Sequence, residues 1–230
     1  LACSENKMKV ALSDINAEAL EKTRKECEEK GVEAKGYELN VTNENNVEEV
    51  YSKVLSDFGT LDATINNAGI LRDGLLVKIK DGNVQKFSMS KWQAVIDTNL
   101  TGVFLCAREA ASIFLKQKKP GVIINITSVA RSGNFGQTNY SAAKAGVSSM
   151  TVLWAQELAQ HGIRVAAIAP GFTATEMVVS LRDDIKENFI KSIPLRRFAE
   201  PKEMSDGALF ILKNDYYTGR VMEIDGGVRI

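Results

Sequence analysis

The chain has 230 residues, 44% hydrophobic and 25% charged, with 29 Lys+Arg against 29 Asp+Glu. That size suits one α/β domain with a sizeable core, and the zero formal charge argues against a general nucleic-acid binder. No apolar run approaches the ~20 residues of a membrane-spanning helix, and the opening residues do not read as a signal peptide. Three widely spaced cysteines (Cys3, Cys27, Cys106) without a Cys-x-x-Cys pair point to a reducing, cytoplasmic compartment. No His/Cys cluster offers a metal site. The single histidine, His161, falls in a polar turn, which argues against a Ser-His-Asp hydrolase.

In chain order, Leu1 to Asn6 reads as the tail of a helix, and Lys9 to Ser13 as a strand ended by Asp14. Asn16 is expected to cap a helix to about Lys30, closed by Gly31. A strand near Glu33 to Leu39 precedes Asn40-Val41-Thr42 and a helix over about Glu44 to Phe58. Leu61 to Ile65 is the next strand, running into Asn66-Asn67-Ala68-Gly69. The alternation of strand and helix implies a parallel sheet with crossovers. Leu75 to Phe87 breaks this rhythm, because its two alternating halves flank Asp81-Gly82-Asn83 and so predict a hairpin. Ser90-Lys-Trp-Gln93 fits a capping box that opens a long helix through Asn99 toward Lys116. A buried strand at Val122 to Ile126 is followed by a helix from about Tyr140 to Gln160, then a strand over Arg164 to Ala169 ended by Pro170-Gly171. Thr173 to Phe198 has no single period, Pro201 suits the first turn of a helix to Leu212, and Val221 to Asp225 is the last strand.

Ser128 leaves the Val122 strand at its carboxyl end, while Tyr140 and Lys144 lie one turn apart on the helix that follows. A glycine-containing loop (Gly133, Gly136) lets the three groups meet. The trio suits carbonyl chemistry. A phenol near pKa ~10 is a poor acid-base group until a lysine ammonium beside it favours the phenolate, and a serine hydroxyl can hold the substrate oxygen. On its own a Tyr-x-x-x-Lys spacing is also that of any amphipathic pair.

Asn66-Asn67-Ala68-Gly69, Asn99, Ser128, Tyr140-x-x-x-Lys144, Pro170-Gly171-x-x-x-Thr175 and Ile224-Asp225-Gly226-Gly227 occur in this order, each beside the right element. Together they resemble the short-chain dehydrogenase/reductase family over essentially the whole chain. Gly136-Gln-x-Asn-Tyr140-Ser-Ala-Ala-Lys-Ala-Gly146 and Pro194-Leu-x-Arg-Phe198 are most similar to its bacterial 3-oxoacyl-acyl-carrier-protein reductases. The resemblance implies a Rossmann-like, doubly wound parallel sheet with helices on both faces, as one dinucleotide-binding domain over residues 1–230. It implies an NAD(P)-dependent oxidoreductase that reduces a carbonyl to a secondary alcohol, with a 3-oxoacyl thioester of acyl carrier protein or coenzyme A as substrate. Tyr140 is then the proton donor, and Lys144 lowers the phenol's pKa and bonds the nicotinamide ribose. Ser128 orients the carbonyl, and Asn99 holds a water that links the lysine to solvent.

The same resemblance places the cofactor along Asp14, Asn40, Val41, Asn67, Ala68, Gly69, Tyr140, Lys144, Pro170, Gly171, Thr173 and Thr175. A carboxylate at Asp14 accepts from adenosine ribose hydroxyls and repels a 2′-phosphate, which leans to NAD over NADP. Many acyl-carrier-protein reductases favour NADP, so Asp14 sits uneasily with the subgroup. Asn40 stands where the family has Asp, and its amide oxygen is expected to accept from the adenine amino group. The family's opening strand and Gly-x-x-x-Gly-x-Gly turn are not found before Lys9, and roughly twenty further residues are expected upstream. Lys116-Gln-Lys-Lys119 lies where the subgroup keeps a basic docking patch for its acidic carrier, and His161 where it often has a second docking arginine. Glu176 to Phe198 is expected to form a substrate lid, and a homotetramer is implied through the helices carrying Asn99 and Tyr140. Two other readings stay open: an NAD-dependent dehydrogenase of a small, sugar or polycyclic alcohol, and a non-catalytic nucleotide-binding subunit.

Overall fold

The computed structural model of the chain describes residues 1–175, 178 and 182–229. Two strands of Ile, Val and Ala form its centre, β6 (Gly121–Ile126) and β7 (Ile163–Pro170), both nearly wholly buried. Strands covered on both faces need apolar residues at every position, and these supply them. β3 (Ala63–Asn66) and β8 (Val221–Ile224) flank them in a parallel sheet of order β3-β6-β7-β8. Alternation divides the layers. Ile123 and Val165 pack toward α5 (Gly102–Gln117) and α6 (Thr138–Leu158), through Ala107, Phe114 and Ala155. Ile124, Ala166 and Ile168 pack on the opposite face, against Ala208 and Ile211 of the helix Pro201–Lys213. Helices therefore cover both faces, as expected.

After the single-turn helix α1 (Ala2–Glu5), β1 (Val10–Asp14) and β2 (Ala34–Glu38) pair in parallel as a separate block. The parallel sheet is thus present as two blocks, because no described strand pairs with the free edge of β1 or of β3. Between these strands lie α2 (Ala17–Glu28) and α3 (Glu44–Phe58). Asn16 caps α2 as expected, its Oδ1 accepting from the amides of Glu18 and Ala19 at 3.1 and 3.0 Å. Tyr37 and Leu39 meet Val47, Val50 and Val54 of α3 and Leu105 of α5 in one core cluster.

The hairpin is present as β4 (Val77–Lys80) and β5 (Asn83–Lys86), antiparallel, joined by Asp81-Gly82 with φ of 51° and 75°. That two-residue turn has the hand that matches strand twist. The capping box expected at Ser90 is not. Helix α4 (Met89–Ile96) begins two residues earlier with Ser88 at its N-cap, and the Ser88 and Ser90 hydroxyls bond each other at 2.6 Å. The long helix runs on as expected, with a π-helical turn, Asp97–Thr101, between α4 and α5. Among the described residues no helix is long and apolar enough to cross a membrane. The three cysteines are free, with Cys27 and Cys106 buried. Burial pushes the Cys106 thiol up to about 11, which keeps it unreactive.

Candidate active site

The site begins with the alternation of β6. Asn125 and the following Thr127 point to the same face as Ile123, toward α6. Asn125 Nδ2 donates to Thr151 Oγ1 at 2.9 Å, and its Oδ1 accepts from Asn66 Nδ2 of β3 at 2.9 Å. Thr127 Oγ1 donates to the Lys144 carbonyl at 2.7 Å. All of these groups are buried, so the strand and helix are joined by bonds that water cannot replace. Beyond β6, Ser128 caps a short 3-10 turn (Val129–Ser132), its Oγ accepting from Ala130 N at 3.1 Å. The chain then returns through Gly133 and Gly136 to start α6, with Tyr140 in its first turn.

The three expected groups do converge. The Ser128 hydroxyl lies near enough to the Tyr140 phenol to pull its pKa down. Lys144, only 3% exposed, donates from Nζ to the Ile126 carbonyl at 2.7 Å, and that nitrogen lies 5.6 Å from the Tyr140 ring centroid. The electrostatics differ from the expectation. Burial, the largest influence, raises the Tyr140 phenol above its ordinary value; the nearby Ser128 hydroxyl opposes this and Asp73 adds to it. The Lys144 ammonium is itself nearly enclosed and donates to a backbone carbonyl. Burial holds it down at about 8.

Asn99 is fully buried in the π turn and bonds neither its own helix nor a neighbour on it. Its Oδ1 accepts from Ile70 N at 2.8 Å and its Nδ2 donates to Ile70 O at 2.9 Å, fixing the loop after β3. A π turn inserts one extra residue, and such turns recur at functional sites.

Residues to which the sequence reading assigned no role hold Tyr140 in place. Asn139, 0% exposed, donates to the carbonyls of Arg72 and Lys91 at 3.2 and 3.0 Å and accepts from Tyr140 N at 2.8 Å. Gln137 Nε2 donates to Asp73 Oδ2 at 2.9 Å, and Gly74 N to Gly136 O at 2.8 Å. The only signal of Asn139 in the sequence was its place inside the Tyr140 motif; its partners are 67 and 48 residues away.

The residues matched to the cofactor lie at the carboxyl ends of parallel strands, where such sheets bind ligands. Asp14 ends β1, and its Oδ1 accepts from Asn16 N at 2.9 Å. Asn67, Ala68 and Gly69 leave β3 exposed. Asn40 Oδ1 accepts from both the amide and the hydroxyl of Thr42, at 3.0 and 2.8 Å, in the turn after β2. Val41 packs where a Cβ on Gly102 would come within 2.7 Å of it. Pro170 ends β7, and Gly171 has no room for a side chain, since a Cβ would lie 2.7 Å from the Asp225 Cα. Thr173 Oγ1 is buried with no hydrogen-bond partner among the described residues, while its carbonyl accepts from Thr175 N at 2.7 Å. A buried hydroxyl costs about 1–3 kcal/mol when unpaired. An orphan hydroxyl beyond β7, a carboxylate beyond β1 and a lysine beyond β6 together fit a nicotinamide dinucleotide.

Lys116, Lys118, Lys119 and His161 immediately precede β6 and β7. Within one chain they therefore stand at the amino ends of strands whose carboxyl ends carry Ser128 and Pro170, ~20 Å away for a six-residue strand. They are not beside this chain's site mouth. Of the expected lid, Glu176, Met177 and residues 179–181 lie outside the described residues. Its remainder carries the helix Asp183–Ser192, where Phe189 stacks on Phe172 with centroids 4.8 Å apart.

A parallel α/β sheet with a Ser-Tyr-Lys cluster at a strand end, its lysine buried, defines a nicotinamide-dependent oxidoreductase. The chain matches the family model described as enoyl-(acyl carrier protein) reductase over residues 1–229. It is 42% identical over 224 residues to 3-oxoacyl-[acyl-carrier-protein] reductase FabG of Thermotoga maritima, covering 96% of this chain and 87% of the relative. It is 45% identical over 203 residues to the 3-oxoacyl-[acyl-carrier-protein] reductase of Synechocystis sp., covering 86% and 77%. The solved structure of a protein described as a short-chain alcohol dehydrogenase from Sinorhizobium meliloti 1021 superposes with TM-score 0.89 at 30% identity, covering 98% of this chain and 88% of that one. The chain belongs to the short-chain dehydrogenase/reductase family.

Proposed function

We propose that the chain reduces a 3-oxoacyl thioester of acyl carrier protein or coenzyme A to the 3-hydroxyacyl thioester. The observation that carries this reading is the half-buried Ser128 and Tyr140 beside the buried Lys144, with the phenol held above its ordinary range. Such a phenol keeps its proton at neutral pH, which is the form a reductase needs. A bound nicotinamide cofactor supplies the hydride to the carbonyl carbon. Ser128 donates to the 3-oxo oxygen and fixes its position. Tyr140 gives its phenolic proton to that oxygen as negative charge develops there. The Lys144 ammonium steadies the phenolate left behind, and its burial keeps water from competing. Asn99 and Asn139 hold the loops on either side of the phenol. At the adenosine end, the exposed Asp14 carboxylate supports NADH over NADPH.

The test is initial rates of the full-length protein with acetoacetyl-CoA, using NADH and NADPH in parallel, with crotonyl-CoA and a panel of secondary alcohols as controls. Turnover of acetoacetyl-CoA is the expected result. Reduction of crotonyl-CoA alone would assign the chain to carbon–carbon double bonds, and alcohol oxidation alone to a small-alcohol dehydrogenase. No turnover of any substrate would leave a nucleotide-binding subunit.

A further inference from the structure

The β4–β5 hairpin has no role in the chemistry above, yet it is tied to it. Its root is stapled to the first turn of the catalytic helix. Gly74 bridges Gln137, Asp73 accepts from the Gln137 side chain, and Asn139 holds the Arg72 carbonyl, one residue before Tyr140. On the other strand, the Phe87 ring lies 3.0 Å from where a Gly74 Cβ would be, and Phe87 N donates to Leu76 O at 2.9 Å. The arm itself then leaves the body, and every residue from 75 to 86 is exposed.

Its register sorts the side chains. Val77 stands opposite Lys86 and Ile79 opposite Val84, so these four share one face, while Lys78 and Lys80 share the other with Gln85 and Asn83. Val77, Ile79 and Val84 are 51%, 78% and 67% exposed, an apolar row that a two-stranded hairpin cannot bury by itself. Lys78, Lys80 and Lys86 make no ion pair or hydrogen bond among the described residues, and Asp81 is the arm's single carboxylate. An apolar strip with unpaired cations on both faces fits an acidic partner with apolar residues among its carboxylates. It does not fit the same arm of a second copy, which would set like charges against one another.

We propose that this hairpin is the docking arm for the acidic acyl carrier protein that delivers the thioester. The proposal rests on the 3-oxoacyl reading above. It takes the place of the lysines before β6 as a basic surface joined to this chain's site. The apolar row seats the carrier, Lys86 and the two lysines of the opposite face pair with its carboxylates, and the stapled root sets its thioester beside Tyr140.

The experiment compares acetoacetyl-acyl-carrier protein with acetoacetyl-N-acetylcysteamine, a neutral thioester with nothing to dock, using wild type, Lys78→Glu/Lys80→Glu and Ile79→Asp. Both variants are expected to raise KM for the carrier-borne substrate roughly tenfold or more, with kcat and the rate on the small thioester within about twofold of wild type. The wild-type KM for the carrier should rise with salt, and that for the small thioester should not. An unchanged carrier KM in both variants overturns the proposal. So does a change of oligomeric state in the variants with the carrier KM intact, which would make the arm an interface between copies. If wild type reduces neither thioester, it is the 3-oxoacyl reading that fails.

Discussion

The two ends of the crevice are built by different means. At the β6–α6 end, Asn66, Asn125, Thr127, Asn139 and Thr151 are buried and bonded to groups far away in sequence. At the β1–β2 end, among the described residues, the Asp14 and Asn40 side chains bond only residues two positions on, and both are exposed. Chemistry that needs a phenol, a hydroxyl and an ammonium fixed within hydrogen-bond reach is thus held by the core. Nucleotide choice is held by local turns that can change without disturbing that core.

The largest expected effect is on the first end. Lys144→Met should lower kcat for thioester reduction by about 10²–10³-fold. It should not lower stability at pH 7. The folded pKa of about 8 lies below the ordinary 10.5, so protonating Lys144 disfavours the fold, and stability rises with pH between those values. Thermal melts of both proteins at pH 7 check this, and a marked drop in Tm for the variant would show the ammonium to be structural. In wild type, reduction should decline above about pH 8 as that charge is lost.

Next, Asn125→Leu should cost about 2–3 kcal/mol in urea unfolding, because Asn66 Nδ2 is left buried without an acceptor. Asp14→Ser sharpens the contrast. It should move the NADH/NADPH preference roughly tenfold toward NADPH while changing stability by no more than about 0.5 kcal/mol. Equal stability losses at Asn125 and Asp14 would erase the distinction between the two ends. The smallest effect is that of Asp73→Asn, which removes one of the two influences raising the Tyr140 phenol. The alkaline limb attributable to that phenol should shift slightly downward in pH, with the Gln137 contact kept by the isosteric amide.

The same division decides what could be read from the sequence. Local signals were legible: the Asn16 cap, the Asp81-Gly82 turn, the apolar runs of β6 and β7, and the order of Ser128, Tyr140 and Lys144. The start of α4 was not, because Ser88 and Ser90 are equally good caps and only the fold decides which hydroxyl lies outside the helix. The π turn left no trace in the apolar pattern, since a single extra residue does not interrupt it. Asn139 and the raised Tyr140 pKa depend on what tertiary packing brings near them, and no spacing within the motif reports that.

The most direct test of the account is the rate of acetoacetyl thioester reduction by Tyr140→Phe, with nucleotide binding measured in the same preparation by cofactor fluorescence. The account predicts a loss of about 10²–10⁴-fold in kcat with binding retained. Turnover within threefold of wild type would contradict the assignment of the proton to that phenol.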